Sequence, residues 1–169
     1  APDTVYLQGG TDAGALNLDG IISAGNTVSG SATLTLQGTG DFLVTGSIQN
    51  GHTTTISLVK TGSGTLTLSG ANTYSGSTTI FGGILAGSGS IVGPTTVQSG
   101  GTISPGNSNA ISALTFGGNL NLMPGSTTFM RINKATQTND LLQTAGNLAY
   151  SGTLMVTNLG GTLASGDSF

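Results

Sequence analysis

Ser63-Gly64-Thr65-Leu66-Thr67-Leu68-Ser69-Gly70 is the stretch on which the fold turns. Threonine and leucine alternate strictly, so all the leucines fall on one face of an extended strand and all the threonines on the other. Thr is β-branched and suits extended backbone. Glycine at either end closes the strand where the chain must turn. The same unit stands at Ser31-Ala32-Thr33-Leu34-Thr35-Leu36-Gln37-Gly38, and a looser copy at Gly118-Asn119-Leu120-Asn121-Leu122-Met123-Pro124-Gly125. Thr55-Ile56-Ser57-Leu58 and Thr153-Leu154-Met155-Val156 alternate in the same way. Between them, Gly83-Ile84-Leu85, Ser90-Ile91-Val92, Thr96-Val97 and Thr102-Ile103 form a denser ladder of very short strands. Gly82-Gly83, Gly100-Gly101, Gly117-Gly118 and Gly160-Gly161 supply turns. Helical periodicity is nearly absent; Asn139-Asp140-Leu141-Leu142-Gln143 is the best candidate and is too short to be a helix.

A short apolar strand followed by a tight turn cannot bury a face alone, but stacked copies bury a continuous one. A sandwich needs longer strands and usually aromatic residues in its core. Aromatic residues are only 5% of this chain. The expected fold is therefore an all-β parallel β-helix, or β-solenoid, with three short parallel sheets and a narrow aliphatic core. A coil of roughly 20 residues gives about eight coils in a rod of about 40 Å. Leu34, Leu36, Leu66, Leu68, Leu120 and Leu122 share one parity and are expected to point inward.

Composition agrees with a folded, weakly charged chain. Gly, Thr and Ser fill 77 of the 169 positions, charged residues are 5%, and hydrophobic residues still reach 36%. Disordered segments combine low hydrophobicity with high net charge, the reverse of this pattern. Glycine lacks the strict three-residue period of collagen, and no apolar run approaches the length of a membrane-spanning helix. Three basic residues cannot neutralise a nucleic-acid backbone, which excludes nucleic acid as a partner. Without cysteine there is neither a disulfide framework nor thiolate chemistry. Ala1 to Leu7 carries no signal-peptide pattern, so any such segment is expected to be removed or to lie outside this stretch.

The middle of the chain resembles a known family. Lys60-Thr61-Gly62-Ser63-Gly64-Thr65-Leu66-Thr67-Leu68-Ser69-Gly70-Ala71-Asn72-Thr73-Tyr74-Ser75-Gly76-Ser77-Thr78-Thr79-Ile80, continuing to Gly82-Gly83-Ile84-Leu85, is similar to the passenger-associated repeat of bacterial autotransporters. Gly101-Thr102-Ile103-Ser104-Pro105-Gly106-Asn107-Ser108 resembles the segment that follows it, and Gly118 to Leu122 and Asp140 to Gly146 extend the likeness. It is best over 58–125. The resemblance implies a right-handed β-helical stalk, secreted through the outer membrane of a Gram-negative bacterium by a C-terminal β-barrel that this chain does not include. It also implies that 1–169 is a single β-helix segment cut from a longer passenger. The motif positions it picks out are Lys60, Gly62, Gly64, Gly70, Asn72, Tyr74, Gly76, Gly82 and Gly83. They are structural, and the family's motif has no catalytic residues to transfer.

The polar residues carry little chemistry of their own. His52 is the single histidine, in the turn Asn50-Gly51-His52, with no carboxylate nearby in sequence to orient it as a base. Arg131, Lys134 and Asp140 form the one local charge cluster. β-Helical polysaccharide lyases use an Arg or Lys base with calcium-binding carboxylates, but the six aspartates here are dispersed over Asp3, Asp12, Asp19, Asp41, Asp140 and Asp167. Loop charges beside a strand are the plainer reading. Gly9-Gly10-Thr11-Asp12 looks like a glycine-rich calcium repeat but lacks tandem copies. Gly62-Ser63-Gly64 lacks the Lys-Ser/Thr of a phosphate loop. No Ser has the G-x-S-x-G setting of a hydrolase nucleophile. Tyr74 and Phe81 read as padding of turns rather than as sugar-stacking rings. The expected function is a non-catalytic stalk without cofactor or metal, supporting surface display and adhesion. The alternative is a carbohydrate-binding adhesin or a lyase-like β-helix enzyme. A glycan or matrix ligand is the partner an adhesive face would take. Neither Ala1 to Leu7 nor Thr162 to Phe169 carries an evident cap, so end-to-end self-association is also expected.

Overall fold

A computed structural model describes residues 3–9, 14–24, 30–107 and 110–168. The chain winds as a parallel β-solenoid of about six turns, with no helix among the described residues. The first turn holds β1 (Asp3–Gly9), β2 (Leu16–Leu18) and β3 (Ile22–Ser23). The second holds β4 (Gly30–Gly38), β5 (Phe42–Val44) and β6 (Ile48–Gln49). β7 (Thr54–Lys60), β8 (Thr65–Leu68) and β9 (Ala71–Asn72) form the third. β10 (Thr78–Ile80), β11 (Gly83–Gly87) and β12 (Ser90–Ile91) form the fourth. β13 (Thr95–Val97), β14 (Gly101–Pro105) and β15 (Ala113–Phe116) make the fifth. The sixth has β16 (Leu120–Leu122), β17 (Thr127–Asn133), β18 (Thr138–Asn139) and β19 (Leu141–Thr144). β20 (Leu148–Tyr150) and β21 (Thr153–Asn158) begin a further turn.

Corresponding strands of successive turns pair in parallel, so each face of the solenoid is a sheet running along the axis. The first face is β1-β4-β7-β10-β13-β16-β20 and the second is β2-β5-β8-β11-β14-β17, with β21 also on β17. β18 pairs antiparallel with β17 as a hairpin. The third face is split into β3-β6 and β9-β12-β15-β19. Three faces therefore carry four sheets, not the three expected. The split falls where a side chain takes over from the backbone: Asn72 Oδ1 accepts the Ile48 N–H at 3.0 Å, and Thr73 N–H donates to Ile48 O at 2.9 Å.

One inward column marks the length of every turn: Val5, Leu34, Leu58, Thr78, Thr95, Leu120 and Leu148 are neighbours in register. The steps from Leu58 to Thr78 and from Thr78 to Thr95 are the shortest, and they match the compact coil expected from the sequence. The steps from Val5 to Leu34 and from Leu120 to Leu148, at the two ends, are the longest. The compact turn is thus confined to the middle of the rod. The outer turns carry longer connections at the corners, including the β17–β18 hairpin. Hence the chain makes about six turns rather than the expected eight.

The core is a set of such columns. Leu34, Leu36, Leu66, Leu68, Leu120 and Leu122 are all at most 6% exposed. Phe42, Leu66, Leu85 and Ile103 stack from the second face, and Ile48, Ile91 and Phe116 from the third. Each such side chain contributes about 1.5–3 kcal/mol by leaving water. The corners must stack as closely as the strands. A Cβ at Gly46 would collide with Gly20 O, one at Gly70 with Gly46 O, and one at Gly89 with Gly70 O. A column of corner glycines is therefore required by the approach of successive turns, rather than by loop flexibility.

Candidate functional site

The motif residues of 60–83 lie on the third turn, the corner into the fourth and, at Gly82 and Gly83, the β10–β11 corner of the fourth; the three with side chains, Lys60, Asn72 and Tyr74, are buried. Lys60 ends β7 in an inward column, between Leu36 and Ile80, and is fully buried. Its Nζ donates to Thr61 O at 3.5 Å and Gly62 O at 3.4 Å, so the ammonium lies against the carbonyls of the corner that follows. Burial pulls its pKa below 10.5, and the Asp41 carboxylate opposes that shift. Gly62 adopts positive φ at this corner, and Gly83 does so at the equivalent corner of the next turn. Asn72 is fully buried and ties three turns together. Besides accepting from Ile48, it donates through Nδ2 to Gly70 O and Ser90 O, each at 3.0 Å. Tyr74 is buried, its hydroxyl 2.5 Å from Thr78 Oγ1, and burial holds its phenol well above the usual range. Gly64, Gly70 and Gly76 have no room for a Cβ against Gly40 O, Gly46 O and Ile56 O of the preceding turn. Gly82 stands beside Gly62 O. None of these residues lines the groove described below.

The charge cluster divides into two unrelated pairs. Arg131 and Asp140 are not solvated loop charges but a buried ion pair at 2.8 Å, with side-chain exposures of 3% and 0%. The guanidinium also donates to Ser104 Oγ at 2.7 Å and Pro105 O at 2.5 Å. Asp140 accepts from the backbone N–H of Arg131 and of Ser112. The pair ties β14, β17 and the approach to β15 together. Arg131 Nε–H alone has no acceptor. Lys134 instead pairs with Asp167, nearer the surface. Two other described aspartates bond to the next turn: Asp19 accepts from Thr45 Oγ1, and Asp41 from Thr65 N–H. His52 and Phe81 are exposed. The side chain of Asp3, and Gly10, Thr11 and Asp12, lie outside the described residues. No group of three or more His, Asp or Glu side chains converges as a metal site among the described residues.

A groove of about 700 Å³ with room for a ligand lies on the outer face of the second sheet. It is lined by the side chains that the core columns leave pointing outward. One row runs Asp41, Thr65, Ile84, Thr102, Thr127; a second runs Thr67, Ala86, Ser104, Phe129, Met155. Rungs about 4.8 Å apart space these residues evenly along the axis. Arg131 and Asn107 line the groove as well, and the guanidinium carbon sits 5.3 Å from the centre of the Phe129 ring. The sequence carried half of this signal. Thr65, Thr67, Thr102 and Ser104 are the polar half of the alternation, whereas nothing local marked Phe129 and Met155 as their continuation.

Residues 58–86 match the family model described as Passenger-associated-transport-repeat. The matched stretch runs from the second half of β7 into β11, through the turn that carries the inward column from Leu58 to Thr78. No curated protein and no solved structure matches the chain.

Proposed function

We propose that this chain is a non-catalytic section of an autotransporter passenger stalk, displayed outside a Gram-negative cell and carried in the full-length protein by a C-terminal outer-membrane barrel. The observation that carries the reading is that the passenger repeat spans a complete turn of the solenoid and runs on into the next. The repeat thus lies along the wall of the rod, and its motif residues Lys60, Asn72 and Tyr74 are spent on stacking turns. The most suggestive charges for catalysis, Arg131 and Asp140, are committed to each other. A rod of parallel strands transmits position: it holds what it carries away from the membrane. The chain 1–169 is read as one continuous segment of that stalk.

The test is to express the full-length gene in a Gram-negative host and treat intact cells with a protease that cannot enter them. An antibody to this segment should label intact cells, and the label should be lost on digestion. Segment retained inside intact cells, protected from protease, contradicts the reading.

The solenoid also supports end-to-end association. Val5 and Leu16 at one end, and Leu148 and Leu154 at the other, are exposed members of columns that are buried in between. A second copy stacked head to tail would pair β20 with β1 and continue each column. Sedimentation across a concentration series should show growing species, weakly dependent on salt; a strict monomer at high concentration contradicts it.

A further inference from the structure

We propose that the groove on the outer face of the second sheet binds a neutral oligosaccharide lying along the solenoid axis. This goes beyond the stalk reading and does not depend on export. The groove floor is the face of a paired sheet, not its edge. β8, β11 and β14 each have partners on both sides, so an extended peptide finds no free backbone groups to pair with. Recognition must come from side chains. Those present are hydroxyls (Thr65, Thr67, Thr102, Thr127) interleaved with the apolar surfaces of Ile84, Phe129 and Met155. A pyranose chain has the matching make-up, with apolar ring faces and hydroxyls at its rims, and an aromatic ring such as Phe129 offers a flat surface for such a face.

Charge narrows the class. Arg131 is the one cation on the lining, and it is committed to Asp140, Ser104 and Pro105. Asp41, at the far end, is the one exposed carboxylate of the lining. An acidic glycan would meet this carboxylate and no free cation, so a neutral one is favoured. Length fits as well. The row from Asp41 to Thr127 spans four rung spacings, about 19 Å, the reach of a short oligosaccharide.

The chain should be titrated by calorimetry with cellotetraose, maltotetraose, xylotetraose and N-acetylchitotetraose, with tetragalacturonate as the acidic comparison. At least one neutral tetrasaccharide should bind saturably. Thr102→Arg, which fills the groove from an outward position, should weaken binding by about tenfold or more. Thr79→Arg, on the outer face of the first sheet, should leave binding unchanged, and both variants should melt with the parent. If Thr102→Arg fails to fold, Phe129→Ala should show the same loss. The proposal is overturned if no neutral tetrasaccharide binds saturably, if binding survives both groove variants, or if tetragalacturonate binds most tightly.

Discussion

The third and fourth turns and the last strands of the chain are built from the same kind of sequence, yet they end in opposite environments. In Thr65-Leu66-Thr67-Leu68 both leucines are fully buried. In Thr153-Leu154-Met155-Val156 the residues Leu154 and Val156 are 56% and 52% exposed. Local alternation is equal in the two; what differs is the neighbour. β8 lies between β5 and β11, whereas β21 pairs only with β17 among the described strands. In a solenoid the pattern within a strand says which residues could be buried, and the adjoining turn decides whether they are.

The sharpest way to break this contrast is a charge at equivalent positions. Leu68→Asp buries an unpaired carboxylate in the middle of the rod. It should cost at least about 4 kcal/mol, enough to unfold a marginal chain, read by thermal or denaturant melting. Leu154→Asp belongs at the opposite end of the scale, within about 1 kcal/mol, because that side chain is already half in water. Equal losses at the two positions would remove the distinction between inner and terminal turns.

Side-chain staples come next. Asp140→Ala strands the buried Arg131 guanidinium and should cost about 3–5 kcal/mol, while replacing both partners by apolar residues should cost far less. A double-mutant cycle with Arg131→Met measures the difference. Asn72→Ala removes three hydrogen bonds, two of which span successive turns, and should cost about 2–3 kcal/mol, read from the denaturant midpoint.

Lys60 gives the smallest effect. Its pKa is lower in the folded chain than in the unfolded one, so the unfolded state holds the proton more tightly. Stability should rise as pH climbs from the folded pKa towards 10.5, and that increment is lost as pH falls back through the folded value. Tyr74 acts in the opposite sense, since its raised pKa withdraws stability above its ordinary value of 10. Comparing the parent with Lys60→Met as pH rises to 10.5 isolates the lysine, because Tyr74 is common to both. A parent curve parallel to that of the variant contradicts the burial of its ammonium.

Much of the middle turns could be read from residue order. Strand, glycine and strand recur there at nearly the length of one turn, so Leu66 and Leu85 are register neighbours close to the assumed spacing. The outer turns resisted that spacing because strands as well as corners lengthen there, β1 and β4 running well beyond the three residues of β10 and β13, and this is why eight turns became about six. The split of the third face was hidden too, because Asn72 looks like a turn residue in sequence while its side chain takes the place of a rung. Arg131 and Asp140 are close in the chain, but their order alone does not say that a hairpin folds them into contact beneath the surface. The groove is legible only once register is known, since each of its two rows draws one residue from each successive turn.

Parallel register is therefore the central claim, and the absence of native cysteine allows it to be measured cleanly. Thr79 and Thr96 face outward on neighbouring strands of the first sheet and are partners in register. The double variant Thr79→Cys/Thr96→Cys places two thiols on adjacent rungs, with Cα atoms about 5 Å apart, within reach of a disulfide. Mild oxidation should close an intramolecular bridge in high yield, detected by mass and by mobility without reductant. Thr79→Cys/Thr127→Cys, with its thiols on different faces, should stay open. Failure of the first pair to close, with closure of the second, would contradict the solenoid.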